Sequence, residues 1–150
     1  MLARDAGRSD GFGAVTDAVQ PVHASGTSSP HLALVAARAA ATKTDEAPRV
    51  LDVGGLLGIT DYFVVSAGRN DRQVRAIVDE VARQVKSAGG TSTRRVEGLS
   101  AAEWVLVDYG SFVVHVFDVE TRERYGLERL WADAGNVDWQ GELEREVAES

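Results

Sequence analysis

Residues 103–131 read EWVLVDYGSFVVHVFDVETRERYGLERLW, and they contain the clearest structural pattern in the chain. Apolar residues dominate on both sides of Gly110 and Ser111, which predicts two strands joined by a tight turn. A glycine at the first central position of the turn suits type II′ geometry. A short helical stretch that carries aromatic residues follows the hairpin. The pairs that the turn predicts are Tyr109 with Phe112, Leu106 with His115, and Trp104 with Phe117.

The two faces of this hairpin differ in character, because neighbouring side chains of a strand point to opposite faces. One face is almost wholly apolar and is predicted to pack on the main core. It carries Val105, Val107, Tyr109, Phe112, Val114 and Val116. The other face is mixed, and it carries Trp104, Leu106, Asp108, Val113, His115 and Phe117. A large aromatic residue beside an acid and a histidine is typical of a protein-binding surface. The alternative is that a helix covers this face and that Asp108 and His115 bond to each other or to the backbone.

The elements around the hairpin predict an α/β domain with a mixed β-sheet and flanking helices. Asn70, with Gln73 three residues later, predicts the start of the clearest helix. Its buried side is predicted to carry Val74, Ile77, Val78, Val81 and Val85, and Gly89 or Gly90 ends it. The other predicted elements are a helix that Ser29 and Pro30 open and that stops before Pro48, a strand over residues 49–53 closed by Gly54 and Gly55, a central strand over residues 61–67, and a weaker strand over residues 91–97.

The 150 residues are enough for one domain with tails. Residues 1–28 are rich in Gly, Ser, Ala and Asp without a sustained period, which predicts a disordered N-terminal extension. The folded domain is predicted to span residues 29–134. Residues 135–150 are predicted to form an acidic C-terminal tail with at most a frayed helix.

The net charge of −7 is concentrated near the C-terminus. Residues 133–150 contain six acids and one base, Arg145, whereas the central part of the chain is close to neutral. A near-neutral domain with an acidic end is a poor match for a phosphate backbone and suits a neutral or basic protein partner. The alternative is that the acidic residues only keep the protein soluble.

The composition also bears on the compartment. The chain has no cysteine, which excludes disulfides and cysteine-based metal sites. No apolar run approaches the roughly 20 residues that a membrane span needs. The N-terminal residues lack the pattern of a secretory signal. We therefore expect a cytoplasmic protein that has no contact with a membrane.

The sequence patterns of enzymes are weak in this chain. There is no G-x-S-x-G motif, and His115 stands alone because His23 and His31 lie in or near the N-terminal tail. Gly54 and Gly55 before Asp61 are typical of nucleotidyltransferases, but the second carboxylate that such enzymes use to hold Mg²⁺ is missing after Asp61. We therefore expect no catalytic activity, no metal and no cofactor, and we keep a nucleotidyltransferase-like enzyme as a minor alternative.

The helix after Asn70 carries basic residues along one side, namely Arg72, Arg75, Arg83 and Lys86. Asp79 interrupts this basic side, and a solvated helix surface is a sufficient explanation of it. The pattern predicts at most a secondary contact with RNA.

Several motifs resemble the ribosomal silencing factor family, RsfS, which is also called the Iojap family. They are ITDYFVV at 59–65, NDRQVRAI at 70–77, EG at 97–98, WVLVDYGSFVVHVF at 104–117 and RYGLERLW at 124–131. The resemblance covers about residues 29–134 and leaves both tails outside. It implies an α/β fold that is nucleotidyltransferase-like without the catalytic residues, which agrees with the single acid at Asp61.

The resemblance also implies a function. Members of the family bind the large ribosomal subunit through the ribosomal protein numbered fourteen, block joining of the small subunit, and lower translation when nutrients are scarce. Free members tend to form homodimers. In such a complex the mixed face of the hairpin would dock on the ribosomal protein, with Trp104 as its aromatic anchor. The predicted contact residues are Glu97, Leu99, Glu103, Trp104, Leu106, Asp108, Tyr109 and His115, of which the last two are equally compatible with support of the sheet. The main alternative is a general interaction module that uses the same face for self-association.

Overall fold

The computed structural model describes residues 30–90, 93–126, 129 and 132–149. Within these residues, one mixed sheet has the spatial order β3-β4-β5-β2-β1-β6. Its strands are β1 (Arg49–Asp52), β2 (Tyr62–Gly68), β3 (Arg95–Glu97), β4 (Trp104–Asp108), β5 (Phe112–Asp118) and β6 (Gly135–Val137). The two central strands, β2 and β5, run parallel, and the other neighbours run antiparallel. The predicted mixed α/β fold is confirmed.

The described helices are α1 (His31–Ala41), α2 (Gly54–Leu57), α3 (Asp71–Ser87), α4 (Val119–Tyr125) and α5 (Trp139–Glu149). Helices α1 and α3 pack on each other and on one face of the sheet, where they form the principal core. The predicted buried side of α3 is confirmed, since Val74, Ile77, Val78, Val81 and Val85 are all buried. Among the helices of the described residues, none has the length and apolar character needed to cross a membrane.

The start of α3 differs from the predicted reciprocal cap. The Asn70 side chain accepts a hydrogen bond from the Gln73 N–H at 2.9 Å, as the sequence predicts. The Gln73 side chain, however, accepts from the N–H of Arg69 at 2.6 Å rather than from that of Asn70. At the other end, Gly89 has φ +92°, and the N–H of Gly90 bonds to the Val85 carbonyl at 2.8 Å. Both glycines therefore contribute to ending the helix.

The hairpin has the predicted register, with Leu106 opposite His115 and Trp104 opposite Phe117. Gly110 has φ +93°, which a type II′ turn requires of its first central residue. The predicted central strand is also confirmed, because β2 lies between β1 and β5.

Three other element boundaries differ from those that the sequence predicts. Pro30 occupies the N-cap position of α1 rather than its first helical position, and Ser29 lies outside the described residues. Gly54 and Gly55 open the short helix α2 instead of simply closing a strand. The weak strand predicted over residues 91–97 is limited to β3, and its first two residues lie outside the described part of the chain.

The largest difference lies after residue 134, where the sequence predicts a tail. β6 pairs with β1, and α5 contacts α1. The Trp139 indole N–H donates to the Pro48 carbonyl at 2.8 Å, and His31 Nδ1 lies 2.7 Å from Glu146 Oε1. The contacts that hold this segment come from residues about 90 or more positions away in sequence, so the local acidic composition gave no sign of them. The predicted extension over residues 1–28 lies outside the described residues.

We expect Trp139→Phe to lower the free energy of unfolding by about 1 kcal/mol, because it removes a partly buried hydrogen bond and keeps an aromatic ring. Urea denaturation of both proteins measures this difference. Equal stability would contradict a structural role of the bond between Trp139 and Pro48.

Candidate protein-binding surface

The mixed side chains of the hairpin lie on the sheet face opposite α1 and α3. Strand pairing adds two residues of β3 to this face, because Arg95 lies opposite Asp108 and Glu97 lies opposite Leu106. We call this surface the hairpin face, and it comprises Arg95, Glu97, Trp104, Leu106, Asp108, Val113, His115 and Phe117.

Part of the hairpin face is buried and part is open. On β5, Val113, His115 and Phe117 are buried, and two of them join a second core cluster with Phe63 and Val65 of β2. On β4, Trp104 is 40% exposed, and Leu106 and Asp108 are half-buried. The alternative of a covered face is therefore correct for β5, whereas β4 keeps an accessible surface.

Buried rings fix the orientation of Trp104. Its indole N–H donates to His115 Nδ1 at 3.1 Å. Its ring also packs against Phe117, with 5.0 Å between the ring centroids, and His115 meets Phe63 edge to face at 4.5 Å. Contacts of this kind hold aromatic rings in defined orientations. Trp104 is thus the exposed end of a packed aromatic cluster.

His115 acts in this cluster as a neutral ring. Burial lowers the pKa of His115 from 6.5 to about 4, so the imidazole is uncharged at neutral pH. Because Nδ1 accepts the Trp104 bond, the ring proton belongs on Nε2. Asp108 Oδ1 accepts from the N–H of Gly110 at 2.8 Å and so supports the turn. His115 is a positioning residue for Trp104.

The loop before β4 is held by Arg75 of α3. The Arg75 guanidinium donates to the carbonyls of Leu99, at 3.3 Å, and Ser100, at 2.6 Å, and it also pairs with Asp71. Leu99 itself is 42% exposed, as a contact residue would be. The sequence placed Arg75 in a basic helix side, and this role was missed because its partners lie about 25 residues away.

Gly98 brings the same loop close to the backbone of Trp104. It has φ +85°, and a Cβ at this position would lie 2.2 Å from the Trp104 carbonyl oxygen. Ala102 closes the loop with an N–H bond of 2.9 Å to the Gly98 carbonyl, and its own φ is +56°. The position of Trp104 therefore depends on a glycine at residue 98.

The three predicted acidic contacts have different surroundings. Glu97 pairs with Arg95 at 2.8 Å, and both side chains are exposed. An ion pair on the surface contributes little to stability. Replacing Arg95 by a basic group of a partner would therefore cost little free energy. The Glu103 side chain is exposed, while its carbonyl accepts from the Asp118 N–H at 2.9 Å. Asp108 is half-buried and occupied in part by the turn.

Tyr109 lies on the opposite side of the sheet from Trp104. It packs against the principal core and stacks on Phe112, with 4.8 Å between the ring centroids. Burial raises the pKa of the Tyr109 hydroxyl. Of the predicted contact residues, Tyr109 is thus the one that the sheet places away from the hairpin face.

Two of the four bases on the basic side of α3 are paired with acids. Arg83 pairs with Glu80, and Arg75 pairs with Asp71. The hydrogen bond from Arg83 lowers the pKa of Glu80 to about 2. This compensation weakens the attraction of the helix for phosphate.

No group of three or more His, Asp or Glu side chains in the described parts of the chain is arranged to hold a metal ion.

The fold and the surface define a mixed α/β protein with a packed, partly exposed aromatic cluster on one face of its sheet. The sequence model of a family described as "Ribosomal silencing factor during starvation" matches residues 26–150. The chain belongs to this family. The match also extends through the C-terminal segment that the sequence predicts to be a tail outside the family domain.

Individual relatives agree with this membership. The chain is 41% identical over 104 residues to ribosomal silencing factor RsfS of Bacillus subtilis, covering 69% of this chain and 87% of that protein. It is 38% identical over 84 residues to mouse mitochondrial assembly of ribosomal large subunit protein 1, covering 55% of this chain and 37% of the mouse protein. A crystal structure of a Chromobacterium violaceum protein superposes with a TM-score of 0.63 at 32% identity, covering 68% of this chain and 84% of that one.

We expect Gly98→Ala to destabilise the protein more than Gly89→Ala. Both glycines have positive φ, at +85° and +92°, so both substitutions carry a similar backbone cost of about 1 kcal/mol. Only residue 98 adds a clash with Trp104, since a Cβ at Gly89 meets nothing within 4 Å. The extra loss is expected to be about 1–3 kcal/mol in urea denaturation. Equal losses would contradict the close approach.

We expect the stability of the protein to fall as the pH drops from about 6.5 to about 4. The folded pKa of His115 is about 4, so the unfolded chain takes up the proton first and is stabilised relative to the folded state. The expected loss in the free energy of unfolding is about 3 kcal/mol between pH 6.5 and pH 4. Denaturation at several pH values measures it. A His115→Gln variant, which cannot titrate, should lack this component, and an identical pH profile would contradict the prediction.

Proposed function

We propose that this protein binds the large ribosomal subunit through ribosomal protein number fourteen and blocks joining of the small subunit. By this action it represses translation in the cytoplasm under nutrient limitation. The observation that carries the proposal is the exposed and fixed Trp104 in a chain of the ribosomal silencing factor family. The name of the mouse relative, which refers to the large ribosomal subunit, supports the choice of subunit.

The geometry supplies the parts of a docking surface. Trp104 provides a large aromatic anchor whose orientation is fixed before binding, which lowers the entropy cost of association. Leu99 and Leu106 add apolar contact beside it, and Glu97 and Glu103 border it with carboxylates. An aromatic centre with a charged border is the usual anatomy of a binding hot spot. The partner that fits is a basic protein.

The mechanism that we propose needs no chemical step. A protein bound near the subunit interface occupies space that the small subunit requires, so binding alone prevents joining. The free protein is proposed to be a homodimer. Val96 on β3, at an edge of the described sheet, is an exposed apolar residue available for self-association.

Co-sedimentation with purified large subunits, with and without added small subunits, tests the proposal. We expect the protein to sediment with large subunits and to reduce the formation of joined ribosomes. Binding without an effect on joining would contradict the steric mechanism. Self-association without large-subunit binding would favour the general interaction module. Sedimentation velocity of the free protein reports whether it is a dimer.

We expect Trp104→Ala to weaken large-subunit binding by about 2 kcal/mol or more, which is roughly 30-fold in Kd. Val147→Ala is the matched control, because Val147 is an exposed apolar residue of α5, away from the hairpin face. Titration of large subunits with fluorescently labelled protein measures both affinities. If Trp104→Ala binds as tightly as the control, Trp104 is not the anchor.

A further inference from the structure

A second exposed apolar patch lies at the opposite end of the sheet from Trp104. It belongs to the segment over residues 54–60, which we call the α2 loop. Ile59 is 78% exposed and Leu56 is 56% exposed. These are among the most exposed large apolar side chains of the described residues, and the hairpin face does not account for them. Contiguous exposed apolar surface marks interaction sites, whereas apolar residues exposed singly are normal. Leu56 and Ile59 lie three residues apart in one short loop.

The backbone of the α2 loop is held in place at several points. The N–H of Gly58 bonds to the Gly54 carbonyl at 3.2 Å, and Gly58 has φ +72°. The Thr60 hydroxyl donates to the Gly110 carbonyl at 3.0 Å, and the Asp61 N–H donates to the Ser111 carbonyl at 2.9 Å. The loop is therefore tied to the hairpin turn. Its two apolar side chains point outward from an ordered structure.

Carboxylates surround the base of this loop. Asp52 accepts a hydrogen bond from the Gly54 N–H at 3.2 Å, and a Cβ at Gly54 would lie 3.3 Å from Asp61 Oδ1. The pKa of Tyr62 is raised mainly by burial and then by the negative charges of three carboxylates, Asp52, Asp61 and Glu142 of α5. These three carboxylates therefore lie near Tyr62. Two bases offset part of this charge, since Arg145 pairs with Glu142 and Arg94 lies beside the Gly110 turn.

We propose that the α2 loop is a second docking surface, and that it takes a lysine- or arginine-rich protein segment with one apolar anchor. The anchor lies against Leu56 and Ile59, and the basic groups meet the carboxylates around Asp52. RNA is a poor occupant because the acidic border repels phosphate. A second copy of this chain is also a poor occupant, because a two-fold contact would place the same acidic border against itself.

This inference deepens the proposed function and rests on it, since the segment would belong to a protein of the large subunit. Residue 104 begins β4 and residue 108 ends it, so the two patches are separated by at least the length of that strand, about 13 Å. One basic protein partner is wide enough to contact both. Binding would then require the correct spacing of two anchors.

The first experiment compares Leu56→Ser, Ile59→Ser and the control Val147→Ser, which changes a 73% exposed apolar residue of α5. All three are expected to keep the melting temperature of the parent protein, because the side chains are exposed. Ile59→Ser is expected to weaken binding to purified large subunits by about tenfold, the scale of one apolar side chain lost from an interface. Unchanged affinity for both loop variants would overturn the inference.

The second experiment identifies the occupant. A photo-crosslinking benzophenone amino acid replaces Ile59, and the protein is irradiated with large subunits. A cross-link to a lysine- or arginine-rich segment of a ribosomal protein supports the proposal. A cross-link to RNA, to a second copy or to residues 1–29 of this chain overturns it.

A third measurement separates failure of the inference from failure of the proposed function. Amide shifts of the labelled protein are recorded on addition of a synthetic peptide of lysines around one phenylalanine. Shifts at residues 54–60 that are lost in Ile59→Ser support the loop as a docking surface even if large subunits do not bind. Absence of such shifts overturns the inference, whereas large-subunit binding that depends only on Trp104 leaves the proposed function standing.

Discussion

The parallel pairing of β2 with β5 is the constraint on which both surfaces depend. Seven successive pairs, from Tyr62 with Phe112 to Gly68 with Asp118, hold the hairpin at the centre of the sheet. The pairing brings the hairpin turn to the start of β2, where Ser111 and Gly110 accept bonds from residues 60–62 and so fix the α2 loop. At the other end of β5, its antiparallel pairing with β4 places His115 and Phe117 beneath Trp104. A shift of one residue would move each of these side chains to the other face.

Burial of β5 is what makes exposure of Trp104 useful. A tryptophan at the edge of a sheet would ordinarily sample several rotamers, and a partner would have to restrict them on binding. Here the indole N–H is already committed to His115, and the ring is already packed on Phe117. The cost is a histidine held neutral in an apolar site, with its pKa lowered to about 4. Stability at acid pH is thus exchanged for a fixed orientation of Trp104.

Local sequence patterns predicted the parts of the structure that local physics decides. Alternation and the Gly110 turn gave the hairpin and its two faces, and helical periodicity gave the buried side of α3. The same alternation already placed Tyr109 on the core face, and only the family resemblance brought it into the list of contacts. What sequence patterns missed depends on distant partners: β6 on β1, Trp139 on the Pro48 carbonyl, and Arg75 on the loop at Leu99. Ile59 belongs only to the family motif at 59–65 and precedes the predicted strand, and its exposure follows from Gly58 and α2, which local patterns do not predict.

In the proposed function, an acidic protein acts on a particle rich in RNA, and its charge gives it selectivity. At a net charge of −7, long-range repulsion by phosphate opposes non-specific adsorption. The proposed association then requires basic protein surface. Carboxylates lie near both proposed patches, with Glu97 and Glu103 by the hairpin face and Asp52, Asp61 and Glu142 around Tyr62 at the start of β2. In the proposed complex both patches are engaged, so a partner with only one suitable site binds more weakly by the contribution of the other. In this proposal the negative charge disfavours binding to RNA, and the distance between the two patches selects among basic proteins.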